Sequence, residues 1–223
     1  MTDYLLFSCP NVDLLLFDYF RSKDFFNITI YKIFPNVVKG FYKCLIKQVY
    51  TKFEYSLVPI RYKDRCDIMK WRNEQMFHLR QKVILTNEMQ DTYFNNVIKS
   101  LYDQNEPSQI LFSYIKGGKC IGYGGLVHIN WADKNAEISF IMATELENES
   151  FQFHWATFLK LIEICAFEDL HLHKIYTYAF DLRPKLYLAL LESNYVEQVR
   201  LKEHCFFQDK FIDIVIHSKF QKC

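Results

Sequence analysis

Four neighbouring residues of the sequence combine the side chains that bind a phosphate and an adjoining ring. They are Trp71, Arg72, Asn73 and Arg80. An Arg guanidinium presents a planar fork of N–H groups that matches the oxygens of a phosphate, and a Trp ring stacks on a sugar or a base. The cluster therefore indicates an acceptor site for a small molecule that carries both features. The alternative interpretation is two surface Arg side chains beside a Trp of the core.

The other reactive residue types exclude several chemistries. The cysteines are Cys9, Cys44, Cys66, Cys120, Cys165, Cys205 and Cys223. A zinc site needs ligands clustered in pairs, whereas these are scattered and form no C-x-x-C pair. We interpret them as reduced, mostly buried thiols and expect no metal. The sequence contains no G-x-S-x-G elbow of a serine hydrolase, and no G-x-G-x-x-G of a dinucleotide site follows a strand.

The composition predicts a folded protein with a large core. The chain has 223 residues, and 50% of them are apolar. The 27 Lys and Arg residues nearly cancel the 26 Asp and Glu residues, which excludes a nucleic-acid binder that works through a bulk positive field. We see no signal peptide and no apolar stretch long enough to span a bilayer, and we expect a cytoplasmic protein.

Residues 1–53 differ from the rest and form a predicted N-terminal extension rich in aromatic residues. Apolar residues spaced by three and four predict a helix over residues 37–53, and a short apolar helix is predicted near residues 14–20. The helix over 37–53 carries a face of Lys side chains. Such a helix either packs on the main domain, which is the ordinary case, or lies on an anionic membrane surface. The aromatic excess is compatible with a homodimer face.

Residues 54–223 alternate between strand and helix patterns. Strands are predicted over 55–60, 109–115, 120–129, 136–142, 174–180, 196–203 and 211–217. Helices are predicted over 63–72, 87–102, 150–167 and 184–191. Thr86 is the predicted cap of the second helix, and Gly117-Gly118 is the predicted hairpin turn. This order predicts a mixed α/β (α+β) sheet with helices on both faces.

Four segments within residues 54–218 resemble the GNAT acyltransferases, in the RimJ/RimL-like and amino-sugar (pseudaminic-acid pathway type) branch. The segments are residues 67–74 with the Trp-Arg-Asn run, 121–126 followed by 136–141, 165–175, and 201–204 with Asp213. The resemblance implies a GNAT fold in residues 54–223, with two central parallel strands that splay apart.

The resemblance also implies acetyl-CoA as the acyl donor. In the family, unpaired backbone groups of the splayed strands hydrogen-bond the pantetheine arm as an added strand would. The matching positions here are Ser139, Ile141 and Met142.

The chain departs from the family where the long helix begins. Family members carry Arg/Gln-x-x-Gly-x-Gly/Ala there, and the small residues let backbone N–H groups close on the pyrophosphate. In residues 147–155 the glycine positions hold Phe and Trp, and two Glu lie nearby. Three accounts stay open: the donor binds through Ser150 and the N–H groups of Phe151, Gln152 and Phe153; CoA binds with altered phosphate contacts; or acyl-CoA binding has been lost or the donor changed.

The resemblance implies an acid and leaves the base open. Tyr187 is the candidate that protonates the leaving thiolate, if its helix holds one turn more than the family's; otherwise the family position falls on Leu190. The base candidates are Glu137, which strand alternation could aim into the cleft, and His128, whose imidazole can accept a proton. A water chain without a dedicated base is equally compatible, as are structural roles for both residues.

The expected function is transfer of an acyl group from acetyl-CoA to the amine of a nucleotide-linked deoxyamino sugar, for surface polysaccharide biosynthesis. The first alternative is a RimJ/RimL-like protein N-terminal acetyltransferase. The second is a catalytically silent GNAT-fold module that holds a partner through its N-terminal helices.

Overall fold

Within residues 40–79 and 81–222, which the computed structural model describes, eight strands form one mixed sheet. The strands are β1 (Tyr50–Lys52), β2 (Tyr55–Pro59), β3 (Ile110–Lys116), β4 (Lys119–Asn130), β5 (Asn135–Met142), β6 (Lys174–Phe180), β7 (Val196–Phe207) and β8 (Lys210–Phe220). Their order in the sheet is β1-β2-β3-β4-β5-β6-β8-β7. β5 and β6 are parallel, and the other neighbours are antiparallel. The predicted mixed α/β sheet is confirmed.

The helices follow the predicted order with two changes: the helix predicted over 87–102 is interrupted by a π-helical stretch at Tyr93–Ile98, and one short helix is added. They are α1 (Arg65–Glu74), α2 (Asn87–Thr92), α3 (Lys99–Tyr102), α4 (Thr144–Glu149), α5 (Phe151–Glu163) and α6 (Pro184–Glu192). Thr86 caps α2, because its Oγ1 accepts the N–H of Met89 at 3.2 Å. The added helix is α4, which lies directly before α5. Among the residues described, no helix is long and apolar enough to cross a membrane.

Helices cover both faces of the sheet, and strand alternation assigns each side chain to one of them. On one face, Phe140 of β5 stacks on Phe158 of α5 with ring centroids 4.0 Å apart. Gly124 of β4 makes room for this stack, since a Cβ there would lie 2.9 Å from the Phe158 ring. On the other face, Tyr123 of β4 contacts Arg72 of α1. We call these the α5 face and the α1 face.

Residues 40–53 belong to the same sheet and core. β1 pairs with β2, and the fully buried Tyr42 bonds through its hydroxyl to the backbone N–H and C=O of Leu111 at 2.8 and 3.0 Å. The helix predicted over 37–53 is therefore not formed over residues 40–53, because burial of these aromatic rings outweighs the helical spacing. The predicted boundary after residue 53 falls inside this sheet. The helix predicted near residues 14–20 lies outside the described residues.

β5 and β6 separate soon after they meet. Asn135, Ala136 and Glu137 of β5 pair with residues 174–176 of β6, and the register then ends while both strands continue. This is the splaying that the resemblance implied, and it leaves a gap in the middle of the sheet.

Candidate active site

A cleft of about 440 Å³ opens where β5 and β6 separate. Its lining comes from both faces, so the cleft passes through the sheet between the two strands. On the α5 side it is lined by Ile138, Phe140, Trp155, Thr177, Arg183 and Leu186. On the α1 side it is lined by Arg72, His78, Gln109, His128, Glu137 and Ser139. Two molecules could therefore reach the same gap from opposite faces of the sheet.

The backbone of β5 directs alternate residues toward the gap. The N–H of Ala143 donates to the C=O of Ile121 at 2.9 Å. Because hydrogen-bonded pairs alternate along an antiparallel ladder, the odd-numbered residues of β5 pair with β4. The N–H and C=O groups of Ile138 and Phe140 therefore point at the gap, as those of an edge strand would.

The three residues proposed for pantetheine contact divide between the two directions. Ser139 and Ile141 have odd numbers, so their backbone groups face β4. Met142 faces the gap, and its C=O accepts a hydrogen bond from Gln75 Nε2 at 2.8 Å. The sequence pattern alone did not determine which residues of β5 face the gap.

The two base candidates form one pair in the structure. His128 Nδ1 lies 2.8 Å from Glu137 Oε2. The register of β4 shifts after Val127, and His128 has a φ of +49°, so a bulge turns its side chain toward β5. Glu137 is buried, whereas His128 is exposed. Because a carboxylate only accepts hydrogen bonds, a neutral imidazole donates through Nδ1 here and keeps the Nε2 lone pair available for a proton.

Arg72 brings a positive charge to the α1 side of the cleft. Its Nε donates to Gln81 Oε1 at 2.9 Å, and its Nη1 donates to the Tyr123 hydroxyl at 2.6 Å. Both partners are neutral groups. Within residues 40–79 and 81–222, no carboxylate makes a hydrogen bond or ion pair with this guanidinium.

The other members of the predicted acceptor cluster have different surroundings. Trp71 is buried in the core and does not line the cleft. Asn73 holds the following loop, because its Oδ1 accepts the N–H of Leu85 at 2.8 Å and its Nδ2 donates to the C=O of Leu85 at 2.9 Å. Arg80 lies outside the described residues. Of the described members, Arg72 is the one that reaches the cleft.

Tyr187 points away from the cleft. Its ring stacks on His217 of β8 with centroids 5.1 Å apart, and its hydroxyl donates to Asp181 Oδ1 at 2.7 Å. Burial, helped by the Asp181 carboxylate, raises the pKa of the Tyr187 hydroxyl. Its neighbour Leu186 lines the cleft instead. Leu190, the other position considered, is fully buried in the core.

A buried ion cluster stands close to where the family carries its glycine-rich loop. α4 places Glu147 in the interior, with its Oε1 3.1 Å from Arg183 Nη1 and 3.4 Å from Lys185 Nζ. Burial lowers the pKa of Arg183, and the Glu147 carboxylate offsets part of that effect. The sequence analysis missed both cations. The signal that could have identified them is a pair of basic residues around Pro184, at the start of a helix that follows β6.

The predicted phosphate-binding run, residues 150–153, begins α5 beside this cluster. Ser150 stands at the N-cap position without a side-chain cap bond. Phe151 is buried, and the Arg183 and Lys185 cations lie 5.5 and 4.3 Å from its ring centroid. Gln152 and Phe153 are exposed. None of these four described residues lines the cleft itself.

His78 is a further residue of the cleft that no sequence pattern singled out. Its Nε2 lies 3.3 Å from Gln75 Oε1. Burial, together with the positive charge of Arg183, lowers the pKa of His78 to about 3. His78 is therefore a neutral imidazole at pH 7. Over the described part of the chain, no three His, Cys, Asp or Glu side chains gather as metal ligands would.

Two solved structures of Vibrio cholerae enzymes share this architecture. One is a spermidine N-acetyltransferase in complex with CoA and spermine, with a TM-score of 0.67 and 21% identity over 76% of this chain and 97% of that chain. The other is a dodecameric spermidine N-acetyltransferase in an intermediate state, with a TM-score of 0.62 and 21% identity over 76% of this chain and 95% of that chain. At this identity the likeness is one of fold, and it confirms the predicted GNAT fold.

The sequence itself matches a family model. The model describes an acetyltransferase (GNAT) domain and matches residues 57–184, from β2 to the start of α6. This span includes the His128–Glu137 pair, the gap between β5 and β6, and every described residue that lines the cleft except Leu186. Because the match covers more than half of the chain, the chain belongs to the GNAT acetyltransferases, enzymes that take their acetyl group from acetyl-CoA.

Proposed function

We propose that this acetyltransferase modifies a primary amine on a small acceptor that also carries an anionic group, with a nucleotide-linked deoxyamino sugar as the leading candidate. The observation that carries the proposal is the Arg72 guanidinium, which lines the cleft with neutral partners. A diphosphate offers the paired oxygens that match such a fork. The sugar then supplies the amine, and the nucleotide supplies the charge.

The charges of the cleft favour an anionic acceptor over a polycation. Among the described lining residues, Arg72 and Arg183 carry positive charges and Glu137 carries a negative charge. Arg183 is paired with Glu147, so a polyamine would bring several ammonium groups to the Arg72 guanidinium, with Glu137 as the one carboxylate among the described lining residues. The resulting repulsion opposes binding in a cleft that is partly shielded from water.

His128 is the general base of the proposed reaction. Acetyl-CoA supplies an acetyl thioester, and in the transfer an N–C bond forms as the C–S bond breaks. His128 Nε2 takes the proton that the amine loses, while Glu137 holds Nδ1–H and stabilises the imidazolium. The imidazolium then returns the proton to the leaving thiolate, directly or through water. This assignment needs no separate acid, in keeping with the orientation of Tyr187 toward Asp181.

The donor site is proposed along β5 and at the starts of α5 and α6. The backbone groups of Ile138 and Phe140 that face the gap would pair with the amides of the pantetheine arm. Arg183 and Lys185 would attract the phosphates, beside the first N–H groups of α5 in residues 150–153. Glu147 neutralises one of the two cations. In this arrangement the side chains of Arg183 and Lys185 bind the phosphates. Elsewhere in the family, glycines let backbone N–H groups approach the phosphates closely.

A polyamine is the second candidate acceptor. The observation that favours it is the shared fold with the two Vibrio cholerae enzymes, which are described as spermidine N-acetyltransferases. The cleft charges described above separate the two candidates.

An acceptor panel tests the proposal directly. Purified protein is incubated with acetyl-CoA and one of three acceptor types: dTDP- or UDP-linked 3-amino and 4-amino deoxysugars, spermidine, or peptides with free N-termini. Release of CoA thiol and the mass of the product are measured. We expect acetylation of an amino sugar. Acetylation of spermidine or of peptides, with every amino sugar left unmodified, would overturn the proposal.

Variants of α1 then locate the acceptor site. An Arg–phosphate contact contributes about 1.5–3 kcal/mol, so Arg72→Ala should raise KM for the nucleotide sugar roughly 10- to 150-fold and leave KM for acetyl-CoA unchanged. Lys70→Ala is the matched control, because Lys70 lies on the same helix and its nearest anions are Glu74 and Glu145, outside the cleft. Equal KM values for the sugar in wild type and Arg72→Ala would show that the anionic group of the acceptor does not bind Arg72.

A further inference from the structure

Two buried polar side chains on the α5 side of the cleft have no hydrogen-bond partner among the described residues. Trp155 of α5 and Thr177 of β6 are each 3% exposed. Neither Trp155 Nε1 nor Thr177 Oγ1 meets a donor or acceptor. Both residues line the cleft. Buried polar groups in folded proteins are nearly always paired, so two unpaired ones on the same cleft point to a ligand that pairs them.

The strands and helices around them hold both groups at the gap. Thr177 follows the last β6 residue paired with β5, so its side chain stands at the point where the strands part. The Trp155 ring packs against Phe140 with centroids 5.2 Å apart, which fixes the indole over the gap-facing part of β5. The surrounding lining on this side, Ile138, Phe140 and Leu186, is apolar. Arg183 is the one charged residue among the described residues that line this side, so the two unpaired polar atoms lie among apolar side chains next to that cation.

The position of this passage determines which part of acetyl-CoA can occupy it. The thioester must reach the amine near His128 on the α1 side, whereas the phosphates are attracted to the cations at the start of α6. The arm that connects them carries two amides and must run through the passage between these ends. An indole N–H can only donate, so its partner is a carbonyl oxygen, and a Thr hydroxyl can donate or accept.

We propose that Trp155 and Thr177 form a side-chain hydrogen-bonding site for the amides of the pantetheine arm of acetyl-CoA. Trp155 donates from Nε1 to an amide carbonyl, and Thr177 completes the contact through Oγ1. The site adds side-chain contacts to the backbone of β5 and is distinct from the phosphate-binding run 150–153. It concerns the donor alone, so its test does not depend on the identity of the acceptor.

The test removes each polar atom, in Thr177 with a side chain of similar shape and in Trp155 with a smaller aromatic ring. Trp155→Phe removes the indole N–H, and Thr177→Val replaces the hydroxyl with a methyl group. Titration calorimetry measures Kd for acetyl-CoA, and thermal unfolding is followed without ligand. We expect a roughly 3- to 10-fold increase in Kd for each variant, the size of a lost neutral hydrogen bond. In the ligand-free protein Thr177→Val should not lower Tm, because the hydroxyl has no partner there, whereas Trp155→Phe should lower Tm through the ring volume lost from the core.

Matched controls separate binding from folding. Trp131 donates its Nε1–H to the C=O of Pro107 at 3.0 Å and does not line the cleft. Trp131→Phe should therefore lower Tm and leave Kd unchanged, whereas Trp155→Phe should raise Kd. Thr177→Ser keeps the hydroxyl and should retain the wild-type Kd.

Two outcomes would overturn the proposal. One is wild-type affinity for acetyl-CoA in both Trp155→Phe and Thr177→Val. The other is weaker binding of acetyl-CoA by both variants with unchanged binding of S-acetylpantetheine, which has the arm and lacks the nucleotide. That second result would assign the contact to a phosphate. If Kd rises by the same factor for S-acetylpantetheine and for acetyl-CoA, the result supports a contact with the pantetheine arm.

Discussion

Replacing Glu147 with Gln should destabilise the protein strongly, although the substitution changes the side chain by only one atom. Glu147 Oε1 lies 3.1 Å from Arg183 Nη1, and both side chains are buried, at 6% and 11% exposure. At that separation the Coulomb attraction is about 5 kcal/mol for an effective dielectric constant of about 20. Desolvation offsets part of this attraction in the intact pair, but removing one partner leaves the other charge buried and unpaired, which costs about 3–5 kcal/mol.

Lys185 adds less, because its side chain is 42% exposed and it also bonds to the Glu147 C=O, which the variant retains. The Gln oxygen retains one acceptor, so we expect the lower end of the range, about 3 kcal/mol. For a domain of this size that corresponds to a fall in Tm of about 6–12 °C.

Urea unfolding of the wild type and Glu147→Gln measures this loss. Glu149→Gln is the matched control, since Glu149 lies on the same helix and is exposed, and its free energy of unfolding should stay within about 0.5 kcal/mol of wild type. Acetyl-CoA should raise the Tm of Glu147→Gln more than that of the wild type, because its phosphates replace the missing negative charge. Equal free energies of unfolding for the two variants would refute the assignment of Arg183 to a charge pair with Glu147.

Two further predictions concern the half-buried His78 and Asp169. The pKa of His78 is about 3 in the folded state, against 6.5 for an exposed His. Between these two values the unfolded state binds more protons than the folded state. The free energy of unfolding therefore falls as the pH falls through that window, by at most about 1.4 kcal/mol per pH unit. His78→Gln should lose less stability than wild type between pH 7 and pH 4.5, as measured by urea unfolding, and equal losses would contradict the low pKa. Asp169 accepts the N–H groups of residues 46 and 47 at 3.1 and 2.9 Å, so Asp169→Asn should speed hydrogen exchange at those two amides, read by mass spectrometry, while exchange in β3 stays at the wild-type rate.

Periodicity and turn residues were sufficient to predict most of the fold. The strands and helices after residue 54 lie within a few positions of their predicted bounds, because apolar spacing and the Gly117-Gly118 turn dictate them locally. The helix over 37–53 was not predicted correctly over its described residues. Its apolar spacing is helical, but Tyr42 and Tyr50 reach partners more than 60 residues away in sequence, and local patterns carry no information about such contacts.

The candidate site was harder to predict, because it depends on the direction in which each residue of a strand faces and on a β-bulge. His128 and Glu137 were predicted from the sequence as separate candidates. Their contact depends on a register shift in β4 that no residue pattern predicts. Successive residues of a strand direct their backbone groups to opposite sides. Only the pairing of β5 with β4 therefore shows that the backbone groups of Ser139 face β4 and those of Phe140 face the gap. A difference of one residue matters in the same way on α6. Leu186 lines the cleft, whereas the next residue, Tyr187, stacks on His217 of β8.

The short pairing of β5 with β6 has a mechanical consequence. It divides the sheet into a wing of five strands and a wing of three, joined in the plane of the sheet by three paired positions. Elsewhere the wings are connected through side chains, among them those that pack α5 against α6 and those of the Glu147–Arg183 pair. A donor bound in the gap, as proposed, would contact both wings and act as a brace between them. The sheet would then be stiffest with the donor bound and least stiff in the interval between release of one donor and capture of the next.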